Sequence, residues 1–304
     1  MSKKIFTNAL FVTFAALLCC ALWGSATPFI KMGYQLMLPE NNTPSIMLFA
    51  GIRFTLAGII TVLIYSIARR KFLIPKKENV LKVLNVAAFQ TVIQYVFFYI
   101  GLANTSGVKG TIISGSNAFC TILVASLIFR QEKLTLKKII ACVVGFAGIV
   151  IVNLNGLEFT MNLMGDGFVL FSAIAYGVSS VLIKKYSAHE DPVVISGYQF
   201  IAGGIVMIII GALCGGEVVV SGGKAIAVLT YLSCLSAVAY SVWGVLLKHN
   251  PVSKVSIFSF TIPVFGVLLS SLLLAEQSNV SLINLIITLI LVSSGIIMLN
   301  YKKE

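Results

Sequence analysis

Few side chains in this sequence can do chemistry, and most of them stand inside long apolar runs. Gln90 and Gln94 lie four residues apart, with Tyr95, Phe98 and Tyr99 beside them. At helical pitch the two amides share a face, and Tyr95 and Tyr99 follow one another on the adjacent strip. An amide donates and accepts hydrogen bonds, and a tyrosine joins an apolar ring to a hydroxyl tip. Lipid is a poor neighbour for such a face; the wall of a cavity that admits a polar solute suits it. Tyr240 and Trp243 repeat the spacing of Tyr95 and Phe98, which places aromatics to meet across a centre. An interfacial belt is the alternative for Trp243, five residues before Lys248. Asn117, close to Ser114 and Ser116, offers a further amide for hydrogen bonding, and Ser259 and Thr261 stand near the matching place later in the chain. Trp23 and Tyr176 each head a glycine-containing segment followed by small residues, which serves either a chamber wall or close helix packing.

Three charges need a reason. Arg53 lies inside an apolar run, where a guanidinium either takes a solute carboxylate in a bidentate grip, or snorkels to the surface or pairs with a loop carbonyl or acid. Glu132 and Glu276 come at the ends of two runs. Each is a gate or proton carrier, or an anion held by the dipole of the helix that follows; the structural role is the expectation. Absences matter as well. No Asp, Glu or His stands in the middle of a run, no nucleophile or metal-ligand cluster is present, and no GxxxxGKS loop occurs. No catalytic residue, metal or cofactor is therefore expected. The six cysteines show no CxxC spacing and read as small buried hydrophobes.

The chain that must position these groups has 304 residues, 58% hydrophobic and 11% charged, against roughly 25% charged in soluble domains. A soluble fold could not hide so much apolar surface. About 20 apolar residues cross the hydrocarbon of a bilayer, and ten stretches meet or approach that length: 9–32, 46–68, 80–102, 108–129, 139–154, 166–184, 194–213, 225–247, 255–274 and 282–300. A start at Leu134 would complete the short fifth one. The net charge of +12 suggests a nucleic acid partner until the charges are placed. With the N-terminus in the cytoplasm, 18 of the 22 Lys and Arg fall on the inner side, whereas the ten acids split evenly. Lys and Arg resist translocation, so both termini are expected inside, and no nucleic acid is expected as a partner.

The chain also repeats itself. Trp23-Gly24 with Lys31 recurs as Tyr176-Gly177 with Lys184, and Arg53-Phe54 parallels Gln199-Phe200. Tyr95 and Phe98 parallel Tyr240 and Trp243, Glu132 parallels Glu276, and the run from Gly148 to Asn153 parallels that from Gly295 to Asn300. All five matches keep the same order, at offsets of 144 to 153. Each half, 1–155 and 166–304, holds five spans. An odd number sends the second copy into the membrane from the opposite face, an arrangement typical of transporters with a site near the midplane.

The Trp-Gly-Ser of the first span with its following Lys31, the Arg53-Phe54 pair, and a Glu closing the fourth and ninth spans resemble the drug/metabolite transporter superfamily, EamA-type branch. The resemblance implies an all-α membrane protein of ten transmembrane helices in two inverted five-helix repeats. It further implies an exporter of small metabolites, often amino acids and similar to aromatic amino acid exporters, with a cavity between the halves. One departure is visible: Pro263 stands in the ninth span, whereas Phe119 occupies the paired place in the fourth, where the family commonly carries proline in both. The reading is a plasma-membrane permease working on a small-molecule substrate by alternating access in a lipid bilayer. A non-transporting membrane receptor is the alternative, and an intramembrane enzyme lacks the clustered groups it would need.

Overall fold

The computed structural model describes residues 4–105, 107–152, 162–273 and 282–301, and among them every regular element is a helix. Ten rods follow in order. They are α1 (Ala9–Met37), α2 (Thr43–Arg69), α3 (Lys77–Ala103), α4 (Lys109–Ile128), α5 (Leu136–Val152), α6 (Leu163–Tyr186), α7 (Pro192–Leu213), α8 (Gly222–His249), α9 (252–273) and α10 (Leu282–Asn300). Among the described residues nine helices are long and apolar enough to cross a membrane, and α5, at 17 residues, is the shortest rod. Phe14, Ile64, Val143 and Ile290 stand exposed on the outside of the bundle, the surface a bilayer covers. Polar caps start the rods: Asn8 accepts from Leu10 N and Phe11 N, Asn42 from Ser45 N, and Asp191 from Val193 N ahead of Pro192.

Two pairs of counterpart rods pack along their length. α2 packs on α7, and α5 on α10, while α1 packs on α8 and α9, and α6 on α3 and α4. Exchanging each rod for the one five places away leaves these pairings unchanged. Within the α2–α7 pair the register is antiparallel: Leu48 meets Gly211, Gly51 meets Ile208, and Gly58 meets Gly197 and Ile201. The glycines recur every seven residues, at 51 and 58 on one rod and at 197, 204 and 211 on the other. A methyl group on Gly58 would sit 2.5 Å from the Gly197 carbonyl oxygen, and one on Gly51 would sit 2.7 Å from the Ile208 nitrogen. Small residues thus let the two backbones touch, the contact that holds helices together where lipid tails are as apolar as leucine. α5 and α10 are antiparallel too, with Gly145 beside Gly295 and Thr288 Oγ1 donating to the Gly148 carbonyl (2.9 Å).

The paired Trp-Gly and Tyr-Gly segments have the same use. Gly24 of α1 lies against the backbone of Phe265 and Gly266 in α9, and Gly177 of α6 lies against Cys120 and Thr121 in α4. Proline is not needed for both partner rods to depart from α geometry. α4 breaks at Ser116, whose hydroxyl donates to the Ile113 carbonyl (2.6 Å). α9 tightens to a 3-10 turn over Ile257–Thr261, with Ser259 and Thr261 bonding back to the Ser256 and Phe258 carbonyls. Hydroxyls that bond back to the backbone do here what the missing proline of α4 would do. All six cysteines are free; four are buried, but Cys214 is exposed, because α7 ends at Leu213 and leaves it as the cap.

Adding a methyl group in the glycine seam should overpack it. Gly58→Ala and Gly204→Ala are each expected to destabilise the purified protein by about 1–3 kcal/mol. Gly223→Ala, with open space around its Cβ position, should leave the thermal unfolding midpoint unchanged in the same assay.

Candidate functional site

Between the rods lies a cavity of about 370 Å³, near the small end of the roughly 300–1,000 Å³ found for ligand pockets. It receives side chains from α1, α2, α3, α4, α6, α8 and α9. Trp23, Arg53, Gln94, Tyr95, Phe98, Tyr99, Asn117, Tyr176 and Tyr240 all line it. The lining runs along α1 from Trp23 through Thr27, Ile30 and Lys31 to Tyr34, and Thr27 and Lys31 are exposed.

Counterpart side chains meet at its wall, where Tyr95 and Tyr240 line it and the fully buried Phe54 and Phe200 pack behind them. The Tyr95 and Tyr240 hydroxyls are 3.0 Å apart. Phe54 and Phe200 stack with centroids 5.1 Å apart and planes 2° from parallel. The cross pairs match as well, Phe54–Tyr95 at 4.6 Å and Phe200–Tyr240 at 4.8 Å. Trp23 adds an edge-on contact at 5.0 Å to both Tyr240 and Trp243. Rings locked by one another in this way lose little freedom when a solute arrives and give it a rigid apolar surface.

Gln90 and Trp243 are not in the lining. Gln90 is 1% exposed and sits in a π turn over Ala88–Ile93. A π turn carries more residues per revolution than an α turn, so the four-residue spacing no longer keeps Gln90 on the face of Gln94. Trp243 is 1% exposed and packs behind Trp23, which also removes it from any interfacial belt. Ser172, Ser236 and Leu102 line the chamber and are absent from the sequence expectation. Each lies one helical turn from a residue that is in it: Tyr176, Tyr240 and Phe98. Thr27 and Tyr34 extend the face of Trp23 in the same way, so the signal was the periodicity of the face itself.

Arg53 does not snorkel. It is 5% exposed, its guanidinium lies 4.4 Å over the Phe54 ring, and its Nε–H has no hydrogen-bond partner. Its counterpart Gln199 is buried outside the lining and accepts from Thr91 Oγ1 (2.7 Å).

Polar clamps tie the first half of the chain to the second at both ends of the bundle. At the end that gathers the α4–α5 and α8–α9 connections, Glu132 accepts from the Ser253 amide (3.2 Å), from the Ser253 hydroxyl and from Lys138 Nζ (2.8 Å). The helix it caps is therefore α9 of the other half, not the helix that follows it in sequence. Burial alone would push the Glu132 carboxyl up, but the hydrogen bonds from Lys138 and Ser253 outweigh it and hold the group below the usual 4.5. Nearby, Lys184 Nζ donates to the Leu247 carbonyl (3.1 Å) and to that of Asn250. At the opposite end Asp166 pairs with Lys109 (2.9 Å) and accepts from Thr105 Oγ1 and from Asn162 N (2.9 Å). Glu276 lies outside the described residues.

Ten apolar rods packed around a chamber of aromatic and polar side chains define a membrane transporter. Comparison with known proteins gives the particular family. The model of the EamA-like transporter family matches twice, over residues 10–154 and 163–301, and the chain belongs to that family, with two repeats. An uncharacterized transporter of Archaeoglobus fulgidus is 26% identical over 281 residues, covering 90% of this chain and 91% of its own. Uncharacterized transporter YvbV of Bacillus subtilis is 24% identical, covering 93% and 89%. A chloroplastic WAT1-related protein of Arabidopsis thaliana is 24% identical over 202 residues, 62% of this chain and 48% of its own. A solved crystal structure shares the fold, with a TM-score of 0.75 at 16% identity, covering 94% of this chain and 97% of its own.

Because the Glu132 carboxyl is held below its unfolded value of 4.5, its clamp contributes stability above that pH and loses it as pH falls through the folded value. At pH 7 Glu132→Gln should lower the unfolding midpoint by about 2–5 °C. The gap to the wild type should stay constant from pH 8 to pH 5 and close below that, as read by intrinsic-fluorescence melts across pH.

Proposed function

We propose that this protein exports small metabolites, amino acids first among them, across the cell membrane by alternating access. In this reading the two five-span halves, 1–155 and 166–304, are inverted repeats, and both termini are cytoplasmic. The antiparallel packing of α2 on α7 and of α5 on α10 supports the inversion, since each pair joins a span to its own counterpart. Loop charge supports the orientation, and the resemblance to metabolite exporters supports the direction.

The observation that carries the reading is the meeting of Tyr95 with its counterpart Tyr240 in the chamber wall, backed by the stacked counterpart pair Phe54 and Phe200. A two-fold arrangement can exchange its halves at little cost, because packing that opens at one mouth is remade by counterpart residues at the other. The polar clamps belong in the same scheme. The Glu132–Ser253 bonds close the cytoplasmic end in the described state, while the lining reaches toward Lys31 and Tyr34 at the other. Gln94, Asn117 and the tyrosine hydroxyls bind the polar part of the solute, and Trp23, Phe98 and Tyr176 take its apolar part.

Wild-type protein in liposomes should move a neutral, zwitterionic amino acid down its gradient. Tyr240→Ala and Gln94→Ala should each slow that flux by roughly three- to tenfold, the effect of about one hydrogen bond, with the unfolding midpoint retained. A wild-type protein that moves no amino acid in either direction would contradict the proposal.

A further inference from the structure

The charge lining the chamber is one-sided. Its charged residues are Arg53 and Lys31, both cations, and no Asp or Glu faces it among the described residues. Arg53 takes part in neither ion pair found among the described residues, Lys109–Asp166 and Lys138–Glu132. It lies beside Tyr34, Tyr95 and Tyr99 and hydrogen-bonds to Tyr95, and a tyrosine hydroxyl is a neutral partner. The Phe54 ring offers only the weak attraction of a π face. A buried guanidinium without a counter-ion is costly inside a membrane, and an anion that enters the chamber relieves that cost.

Two further lining groups lack partners. Trp23 Nε1 is a buried donor without an acceptor, and Gln94 Oε1 is a buried acceptor without a donor, on a residue 9% exposed. With the Arg53 Nε–H, the wall therefore presents unmet donors and one unmet acceptor around a ring-lined volume of about 370 Å³.

We infer that Arg53 is the specificity-determining residue of the chamber and selects solutes that carry a carboxylate, with Gln94 Oε1 accepting from an N–H of the same solute. The inference rests on the transport reading and names the chemical class it takes: amphipathic monocarboxylates with an amino group, their apolar side chain against the tyrosine and tryptophan rings. The planar guanidinium matches a carboxylate in geometry as well as in charge. An amine that lacks the carboxylate meets Arg53 as a like charge and finds no acid in the lining among the described residues.

Matched solutes test this in proteoliposomes. Phenylalanine and leucine would be compared with phenylalaninamide, leucinamide and phenethylamine, each labelled, with the solute-induced rise in melting temperature as an independent readout of binding. The wild type should move the two acids at least tenfold faster than the amides and the amine, and only the acids should raise the melting temperature. Arg53→Gln should lose at least tenfold in phenylalanine flux and no longer distinguish phenylalanine from its amide. Arg53→Lys, which keeps the charge without the fork, should fall between. The wild-type comparison holds even where a variant fails to fold. Amides and amine moving as fast as the acids, or a folded Arg53→Gln that keeps its phenylalanine flux, would overturn this inference and leave the transport reading standing. Immobility of every solute in the wild type would overturn both.

Discussion

The close approach of α2 to α7 is the constraint on which the rest of the molecule depends. In hydrocarbon there is no water to drive apolar faces together, so helices associate through packing and backbone proximity. The seam at Gly51, Gly58, Gly197, Gly204 and Gly211 allows main chain to meet main chain, and nothing larger fits. That contact joins the second span of each half antiparallel to its counterpart. It also presses Phe54 onto Phe200, and through them brings Tyr95 to Tyr240. The chamber is the space left beside those four rings.

A two-fold scaffold does not make a two-fold chamber. Arg53 lines the chamber, whereas its counterpart Gln199 is sealed away on Thr91. Lys31 lines the chamber, whereas Lys184 lies outside the lining and donates to the Leu247 and Asn250 carbonyls. Trp23 and Tyr176 both line it, yet Phe98 does so while Trp243 stands behind. The scaffold keeps the counterparts near one another, and substitution within each pair gives the two walls different chemistry. Both cations in the lining come from the first half, together with Trp23, Tyr34, Tyr95, Phe98 and Tyr99, while the second half contributes Tyr176 and Tyr240 beside serines and aliphatic side chains.

Much of this was legible in the sequence, because the bilayer imposes a length and an apolar composition on every span. Nine site residues named from polarity and spacing line the chamber. Helix ends were harder to place: α1 runs to Met37 and α8 starts at Gly222, since hydrogen bonding continues beyond the apolar core. Uniform helical pitch puts Gln90 on the face of Gln94, and the single π turn that moves it off leaves no mark in the residue spacing. The partner of Glu132 was invisible for a different reason. Its contact with Ser253 spans 121 residues, and the helix dipole argument can only propose the nearest terminus in sequence. The glycine seam is written plainly at seven-residue intervals, but only packing distinguishes it from scattered glycine in an apolar chain.

The central claim is that the two ends of the bundle open in alternation around those rings. Spin labels report this directly: one pair at Gln35 and Leu163, at the end of α1 near Tyr34 and the start of its counterpart α6, another at Lys133 and Lys254 beside the Glu132–Ser253 clamp. The account predicts that a transported solute shifts the two distance distributions in opposite senses, one pair separating as the other approaches. Distances that stay fixed with solute present, or that lengthen together, would contradict it.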